Sequence, residues 1–288
     1  MNRREFIKLC SIMAAASMLG GCRKLPFVGE SSKNAPTIKM FEDEVRRAMQ
    51  ASSKKMDLVR VAMPSQLKMP GASATNRFGM AIDLDACDGC GKCILACIME
   101  NNIPLVTESE AEKGRFMHWI QMRGGAPFMC AHCGDAPCEK VCPTGAANHT
   151  PDGLSAMMYK RCTGSRYCGA NCPVSARKFN YNDAREENLS VKFNDKVPVR
   201  DKGVMEKCSL CLQRLQDDRM STKALGGEWL GRGVKTACAE ACPKHAIVFG
   251  NWLDPESPLV KAAAHRGLYA PSGIADKDPA VVYMRGRR

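Results

Sequence analysis

Cysteine is the residue that stands out in this sequence of 288 residues, which contains 17 of them. Fifteen lie between residues 87 and 242, where their thiols could act as nucleophiles, disulfide partners or ligands for soft metals. They form four groups in chain order: Cys87, Cys90, Cys93 and Cys97; Cys130, Cys133, Cys138 and Cys142; Cys162, Cys168 and Cys172; and Cys208, Cys211, Cys238 and Cys242. Aromatic residues make up only 6% of the chain, so we expect bound metal to organise part of the interior.

The spacing within the groups favours iron-sulfur clusters. A loop with thiolates at intervals of three residues, as in Cys87, Cys90 and Cys93, can wrap three corners of an iron-sulfur cube. The next cysteine, Cys97, is expected to start a helix that points to a second cluster. Proline follows the last cysteine of each of the other three groups, where it turns the chain away, and nearby backbone amides are expected to bond to the sulfurs. After Cys97 that position is Ile98.

Two other uses of cysteine fit the sequence less well. Zinc also binds Cys-x2-Cys pairs, but its structural sites take two such pairs rather than three evenly spaced cysteines followed by a fourth. Disulfide bonds would suit an exported chain, but cysteines this close in sequence bridge poorly, and a chain of this length does not need them for stability. Iron-sulfur clusters are therefore the expected cofactors.

The motifs around these cysteines resemble a known family. It comprises the four-cluster, ferredoxin-like electron-transfer subunits of membrane-bound, quinone-linked oxidoreductases, including those that partner DMSO, polysulfide and nitrite reductases. The resemblance covers roughly residues 78–253. In detail the chain is most similar to alternative complex III and the related quinone reductase complex, through the segments Met117–Ile120, Arg161–Cys168, Asn171–Pro173 and Pro279–Tyr283.

The resemblance implies that each cluster takes ligands from two groups, the first group pairing with the fourth and the second with the third. Site 1 would have Cys87, Cys90, Cys93 and Cys242, and site 2 would have Cys208, Cys211, Cys238 and Cys97. Site 3 would have Cys130, Cys133, Cys138 and Cys172. Site 4 would have Cys162, Cys168 and Cys142, with Ser165 where the family pattern has cysteine.

Ser165 decides what site 4 can hold. A neutral hydroxyl is a far poorer iron ligand than a thiolate, so we expect the iron at that corner to be lost and a 3Fe-4S cluster to remain. A 4Fe-4S cluster bound through Ser165 Oγ and a site without a cluster are the open alternatives. The expected cofactors are three 4Fe-4S clusters and one 3Fe-4S cluster.

The N-terminus resembles an export signal. Arg3 and Arg4 precede an apolar stretch, Leu9–Leu19, which is too short to span a bilayer but suits a signal peptide. The arginine pair resembles the twin-arginine signal, whose route carries proteins that are already folded with their cofactors. The segment Leu19–Cys22 resembles a lipoprotein cleavage site, in which Cys22 would be acylated; ordinary cleavage beside an incidental cysteine is the alternative. We expect a lipid-anchored protein on the periplasmic face of the cytoplasmic membrane.

The remaining elements are expected to fit around the cysteine loops. Apolar residues at helical spacing predict a helix over 38–49, and alternation over 80–85 predicts a strand that leads into the first group. We also expect a hairpin over 144–158, a strand over 246–249 and a helix that begins at Pro258 with Ser257 as its cap.

The resemblance implies an α+β fold of two interleaved ferredoxin-like units with approximate two-fold symmetry, insertions and peripheral helices. The expected segments are a signal peptide (1–21), an anchor, tether and peripheral helix (22–77), the four-cluster domain (78–253) and a C-terminal extension (254–288).

Other residues carry weaker signals. His132 lies between two cysteines, but all ligand positions there are filled, so we expect it beside the ligands rather than among them. His118 and Trp119 are interpreted as residues that pack within the protein or contact another subunit, rather than as part of a quinone site. Basic residues surround the third group. They are interpreted either as a solvated face or as charges that compensate anionic clusters or bind a partner protein, and both interpretations stay open. They are Lys160, Arg161, Arg166, Arg177 and Lys178.

These signals predict an electron relay. The net charge of +12 is scattered without a long basic tract, so nucleic acid is not expected as a partner. No dinucleotide fingerprint, phosphate-binding loop or nucleophile–base pair stands out, so substrate turnover is expected to belong to other subunits. The expected partners are a polytopic, quinone-interacting membrane subunit and a periplasmic redox subunit of molybdopterin or cytochrome c type. A zinc-stabilised binding module and a self-contained iron-sulfur reductase are the alternatives.

Overall fold

The computed structural model describes residues 36–52, 54–64 and 76–286. The described residues belong to one compact unit. The predicted signal peptide, the candidate lipidation site Cys22 and nearly all of the following tether lie outside the described residues. No helix in the described ranges combines the length and the apolar character that crossing a membrane requires.

Some of the described helices carry cysteines. The predicted helix over 38–49 is confirmed, as is the helix that begins at Pro258, whose cap Ser257 accepts a hydrogen bond from the Leu259 N–H. The helices are α1 (Ile38–Ala51), α2 (Lys92–Asn101), α3 (Glu108–Glu112), α4 (Pro137–Lys140), α5 (Tyr167–Ala170), α6 (Leu212–Ala224), α7 (Ala237–Glu240) and α8 (Pro258–Ala263).

One five-stranded sheet crosses the described part of the molecule. Its strands are β1 (Leu58–Arg60), β2 (Phe78–Asp83), β9 (Ile247–Asn251), β10 (Gly267–Pro271) and β11 (Val281–Arg285). They lie in the order β1-β10-β11-β2-β9, and only the β11–β2 pair is parallel. The segment expected as a C-terminal extension therefore supplies two strands of the sheet that leads into the first cysteine group.

Both faces of strand β2 are covered. Met80 and Ile82 point into the main core, while Ala81 packs on the other side with Val282 and Leu259. All six residues of β2 are buried, so this strand is fixed in register from two sides, and its end at Asp83 holds the first cysteine loop in place.

Two short hairpins and one antiparallel pair of strands distant in sequence make up the remaining sheets of the described residues. The hairpin predicted over 144–158 is confirmed, with Ala147 opposite Met157. The strands are β3 (Gln121–Arg123) with β4 (Ala126–Phe128), β5 (Ala147–His149) with β6 (Ser155–Met157), and β7 (Lys178–Phe179) with β8 (Met205–Glu206). The fold is thus mixed α/β, with the cysteines on helices and on the loops next to them.

Candidate metal centres

The first cysteine group meets the end of the fourth. Burial raises the pKa of Cys93 to about 12, and its neighbours Cys87, Cys90 and Cys242 raise it further. Helices α2 and α7 pack against each other, which brings Cys242, two residues after α7, to the loop that carries the other three thiols. These four thiols are the set implied for site 1.

The set implied for site 2 is fully inside the protein. Burial holds the pKa of Cys97 well above its usual value, and Cys208, Cys211 and Cys238 raise it as well. All four thiols are buried. Because Cys93 and Cys97 lie one turn apart on α2, this single helix presents one thiol to site 1 and one to site 2.

The second and third groups meet in the same crossed manner through the packed helices α4 and α5. Burial raises the pKa of Cys133, and Cys130, Cys138 and Cys172 act in the same direction, as expected for site 3. Burial also raises the pKa of Cys168; there Arg177 opposes the rise while Cys162 and Cys142 add to it. The last three thiols are those implied for site 4.

The four sets form a row. Burial raises the pKa of Cys238 of site 2, and the neighbouring thiols Cys211 and, from site 1, Cys93 raise it further. Site 2 therefore lies next to site 1. Cys208 of site 2 likewise has Cys130 of site 3 among its neighbours. Arg177 touches site 3 and is an electrostatic neighbour of site 4. The order along the row is therefore site 1, site 2, site 3 and site 4.

The donor set fits iron-sulfur clusters. None of the fifteen cysteines in the described part of the chain forms a disulfide bond. Among the described residues, no three Cys, His, Asp or Glu side chains converge closely enough to hold one metal ion. Three sets of four thiols and one set of three, each drawn from two cysteine groups, are donors that iron-sulfur clusters use.

Backbone amides point at the sulfurs, as the sequence led us to expect. The N–H groups of Ala147 and Ala176 donate to the Sγ atoms of Cys142 and Cys172, both at 3.4 Å. The Ala246 N–H donates to Cys242 Sγ at 3.3 Å. Each donor follows a Cys-Pro turn, so the same local geometry recurs three times and would stabilise negative charge on sulfur.

The loop that contains Ser165 has the backbone of a cysteine loop. Gly164 precedes Ser165 with φ 70° and Arg166 follows it with φ 62°. A Cβ on Gly164 would lie 2.3 Å from the carbonyl oxygen of Gly203, so this position requires glycine both for conformation and for space. Ser165 itself is exposed. No cysteine among the described residues completes site 4.

His132 lies between sites 2 and 3. Its side chain is buried, its Nε2 pairs with the carbonyl oxygen of Cys208 at 3.0 Å, and its backbone N–H donates to Cys130 Sγ at 3.5 Å. Burial holds the pKa of His132 well below its usual value. The expected role beside the ligands agrees with this position.

His118 and Trp119 both lie in the core. His118 Nε2 pairs with Glu44 at 2.9 Å, and the Trp119 Nε1–H donates to Glu206 at 3.1 Å. Their side-chain polar groups thus have buried partners within the chain, in agreement with the packing interpretation.

The basic residues of the third group divide between the two interpretations. Lys160, Arg161 and Arg166 are exposed, as a solvated face requires. Arg177 is only 7% exposed, and its Nη2 donates to Cys138 Sγ at 3.0 Å. Lys178 is half-buried, and burial lowers its pKa to about 8, with the nearby cations Arg123 and Lys54 acting in the same direction.

The arrangement defines a class of protein: an iron-sulfur protein with several sets of cysteine ligands. Comparison with known proteins agrees. A model of the 4Fe-4S dicluster domain matches residues 76–146. The iron-sulfur cluster-binding subunit of menaquinone reductase from Nitratidesulfovibrio vulgaris is 34% identical over 236 residues, covering 73% of this chain and 89% of that protein.

Two further relatives have the same character. A putative iron-sulfur subunit of dimethyl sulfoxide reductase from Halobacterium salinarum is 31% identical, over 73% of this chain and 79% of its own length. An iron-sulfur subunit of an Hdr-like menaquinol oxidoreductase from Archaeoglobus fulgidus is 32% identical, over 73% and 83%. The chain belongs to the family of iron-sulfur subunits of quinone-linked reductases, whose members transfer electrons.

Proposed function

We propose that this subunit passes single electrons along four iron-sulfur clusters held at sites 1 to 4 by the cysteine sets described above. The observation that carries the proposal is the row of thiol sets, in which neighbouring sets share a helix, a backbone contact or a buried cation. When bound, the clusters supply the one-electron chemistry. The protein holds them at short separations, excludes water and donates hydrogen bonds to sulfur.

We propose three 4Fe-4S clusters, at sites 1, 2 and 3, and a 3Fe-4S cluster at site 4. Ser165 supports the last assignment because its loop repeats the backbone of the first cysteine loop with a hydroxyl in place of a thiol. We further propose that the two crossed helix pairs, α2 with α7 and α4 with α5, are the centres of two interleaved ferredoxin-like units related by approximate two-fold symmetry.

We propose that the electrons pass between a polytopic, quinone-interacting membrane subunit and a periplasmic redox subunit of molybdopterin or cytochrome c type. The names of the relatives support the link to quinone: they describe subunits of menaquinone reductase and of a menaquinol oxidoreductase. The chain itself is proposed to be non-catalytic, with substrate turnover in its partners.

The proposed location is the periplasmic face of the membrane, reached by twin-arginine export and held by acylated Cys22. Replacing both Arg3 and Arg4 by lysine is expected to keep the precursor in the cytoplasm. Cys22→Ala is expected to release an exported, folded subunit from membranes in the absence of its partners, because no lipid chain would tether it. Membrane attachment, without partners, of a C22A subunit that has lost residues 1–21 would refute the lipid anchor.

Anaerobic purification tests the relay itself. Four clusters of the proposed types would give a brown protein with about 15 iron and about 16 sulfide atoms per chain. A colourless zinc protein would refute the proposal in favour of a zinc-stabilised binding module. Substrate turnover by the isolated subunit with an artificial electron donor would instead identify a self-contained reductase.

A further inference from the structure

Arg177 is a buried cation whose hydrogen-bond acceptors are sulfur atoms. Its side chain is 7% exposed, its Nη2 donates to Cys138 Sγ at 3.0 Å, and its Nη1 donates to Met157 Sδ at 2.9 Å. No Asp or Glu of the described ranges forms an ion pair with it. A guanidinium stays protonated in proteins, so burying it without a counter-charge is costly.

The position of Arg177 joins two of the proposed sites. Cys138 lies on α4 and belongs to site 3, whereas Cys168 lies on α5 and belongs to site 4. Both thiols are electrostatic neighbours of Arg177, and so is Cys130 of site 3. Met157, on β6, holds the other nitrogen of the guanidinium, so the charge is fixed between α4 and α5.

A second arginine that lies beside a cluster site has different partners. Arg214 lies beside Cys211 of site 2, but its nitrogens donate to Glu100 at 2.6 Å and Glu240 at 2.7 Å. Those carboxylates neutralise the field of Arg214 at the nearby thiol. Arg177 has no such pair, so its charge acts on the sulfurs around it.

From this geometry, and resting on the proposed function, we propose that Arg177 is a positioning residue that raises the reduction potentials of the clusters at sites 3 and 4 together. Reduction adds one electron and hence one negative charge to a cluster, without forming or breaking a bond to the protein. A fixed, desolvated cation stabilises that added charge, and an N–H donated to a ligand sulfur acts in the same direction. Arg177 would therefore favour the electron at the site 3 and site 4 end of the row.

The test is a potentiometric titration of the anaerobically purified full-length protein, followed by EPR, for wild type and Arg177→Met. At a fixed ambient potential, R177M is expected to lower the ratio of reduced to oxidised cluster at sites 3 and 4 at least tenfold, a shift of about 59 mV for one electron. Sites 1 and 2 should shift much less. The matched control is Arg161→Met, because Arg161 is exposed beside Cys162 and also has a methionine sulfur, Met158 Sδ, as acceptor. Its effect should be small, since water screens an exposed charge.

Arg177→Lys and Arg177→Gln separate charge from packing. R177K keeps a cation and should retain most of the native potentials, whereas R177Q should resemble R177M. Loss of iron from sites 3 and 4 in both neutral variants, with normal iron in R177K, would also support the role of the charge. Native potentials in a fully loaded R177M or R177Q, or equal shifts in R177K and R177M, would overturn it. A wild-type protein without iron would refute the relay itself, which is a different result.

Discussion

Ser165 and Cys90 occupy the same backbone position in two different loops. Each is exposed and follows a glycine with nearly the same torsion, φ 70° at Gly164 and φ 71° at Gly89. Each is followed by a left-handed residue that begins a helix, Arg166 before α5 and Gly91 before α2. The two loops therefore differ at this corner in the side chain and not in the path of the chain.

Restoring a thiol at this corner is expected to restore the fourth iron. Because the backbone already has the form of a cysteine loop, Ser165→Cys needs no rearrangement and should convert the site 4 cluster from 3Fe-4S to 4Fe-4S. EPR should show that the oxidised-state signal of the 3Fe-4S cluster disappears, and iron analysis should show a gain of about one iron per chain. An unchanged spectrum in a well-folded S165C protein would contradict the assignment.

Ser165→Ala distinguishes a vacant corner from a hydroxyl ligand. If Ser165 Oγ does not bind iron, S165A keeps the 3Fe-4S signal and the iron content of the wild type. If the hydroxyl holds a fourth iron, wild type shows a 4Fe-4S cluster and S165A loses about one iron. We expect the first result, because a neutral hydroxyl is a weak ligand for iron.

Removing a thiol should have different effects at an exposed corner and in the core. Cys90 is exposed, so Cys90→Ala should leave the site 1 cluster with three irons and the fold intact. Cys97 is 5% exposed and receives a hydrogen bond from Asn101 Nδ2 at 3.5 Å, so Cys97→Ala leaves a dry gap that no water ligand fills. Iron analysis should show a loss of about one iron in C90A and about four in C97A. Equal losses would contradict this contrast.

Local spacing was enough to predict the cysteine groups and the short elements beside them. The helix α1, the hairpin β5–β6 and the cap at Ser257 all depend on residues close in sequence, and their patterns predicted them. Family resemblance supplied the crossed pairing of the thiols, since spacing alone cannot say which group meets which. The structure places Cys242 beside Cys93 through contacts between α2 and α7, which lie far apart in the chain.

Other features depend on contacts that leave no local pattern. Arg177 looked like one of several basic residues, and only the tertiary structure separates it from exposed Arg161 and Arg166. The strands β10 and β11 were expected as an extension, but their pairing with β1 and β2 joins them to the central sheet. The place of a short strand in a sheet depends on its partners as well as on its own sequence.

A buried ion pair near site 2 is expected to support the fold. Arg200 and Glu206 have side chains that are 1% and 0% exposed, and their charged atoms approach to 2.8 Å. Arg200→Met would leave the Glu206 carboxylate buried with the Trp119 Nε1–H as its remaining side-chain donor, at a cost of about 3–5 kcal/mol. The thermal midpoint, followed by circular dichroism, should fall by about 10 °C.

Two further variants test whether the unpaired charge of Glu206 causes the loss of stability in R200M. The double variant with Arg200→Met and Glu206→Met should recover much of the stability that R200M loses, because it leaves no buried charge without a partner. Arg46→Met removes a pair with Asp43 whose side chains are 66% and 46% exposed, so it should change the midpoint by no more than about 2 °C. A midpoint for R200M equal to that of R46M would contradict the role of the buried pair.

Asp83 at the end of β2 connects the first cysteine loop to the C-terminal strands. Arg266 donates to both carboxylate oxygens, from Nη1 to Oδ2 at 2.9 Å and from Nη2 to Oδ1 at 3.0 Å. The Asp83 carbonyl oxygen accepts from the Cys87 N–H at 3.1 Å. The hydrogen bond from Arg266 lowers the pKa of Asp83 below its usual value, against the effect of burial.

This pair should make stability depend on pH in one direction. The pKa of Asp83 is lower in the folded protein than in the unfolded chain, where it is about 3.9. The contribution of the Asp83 carboxylate to stability is therefore complete well above pH 4. It is lost as the pH falls through the pKa that Asp83 has in the folded protein. Asp83→Asn should therefore be less stable than wild type by about 1.5–3 kcal/mol, with a constant difference between pH 7 and about pH 5. The difference should shrink below about pH 4, as Asp83 becomes protonated in the wild type.

Thermal midpoints of both proteins across this range of pH provide the measurement. Only the difference between the two midpoints is used, because acid affects the clusters of both proteins. A difference that grows as pH falls would show that the Asp83 carboxylate does not stabilise the fold through its charge.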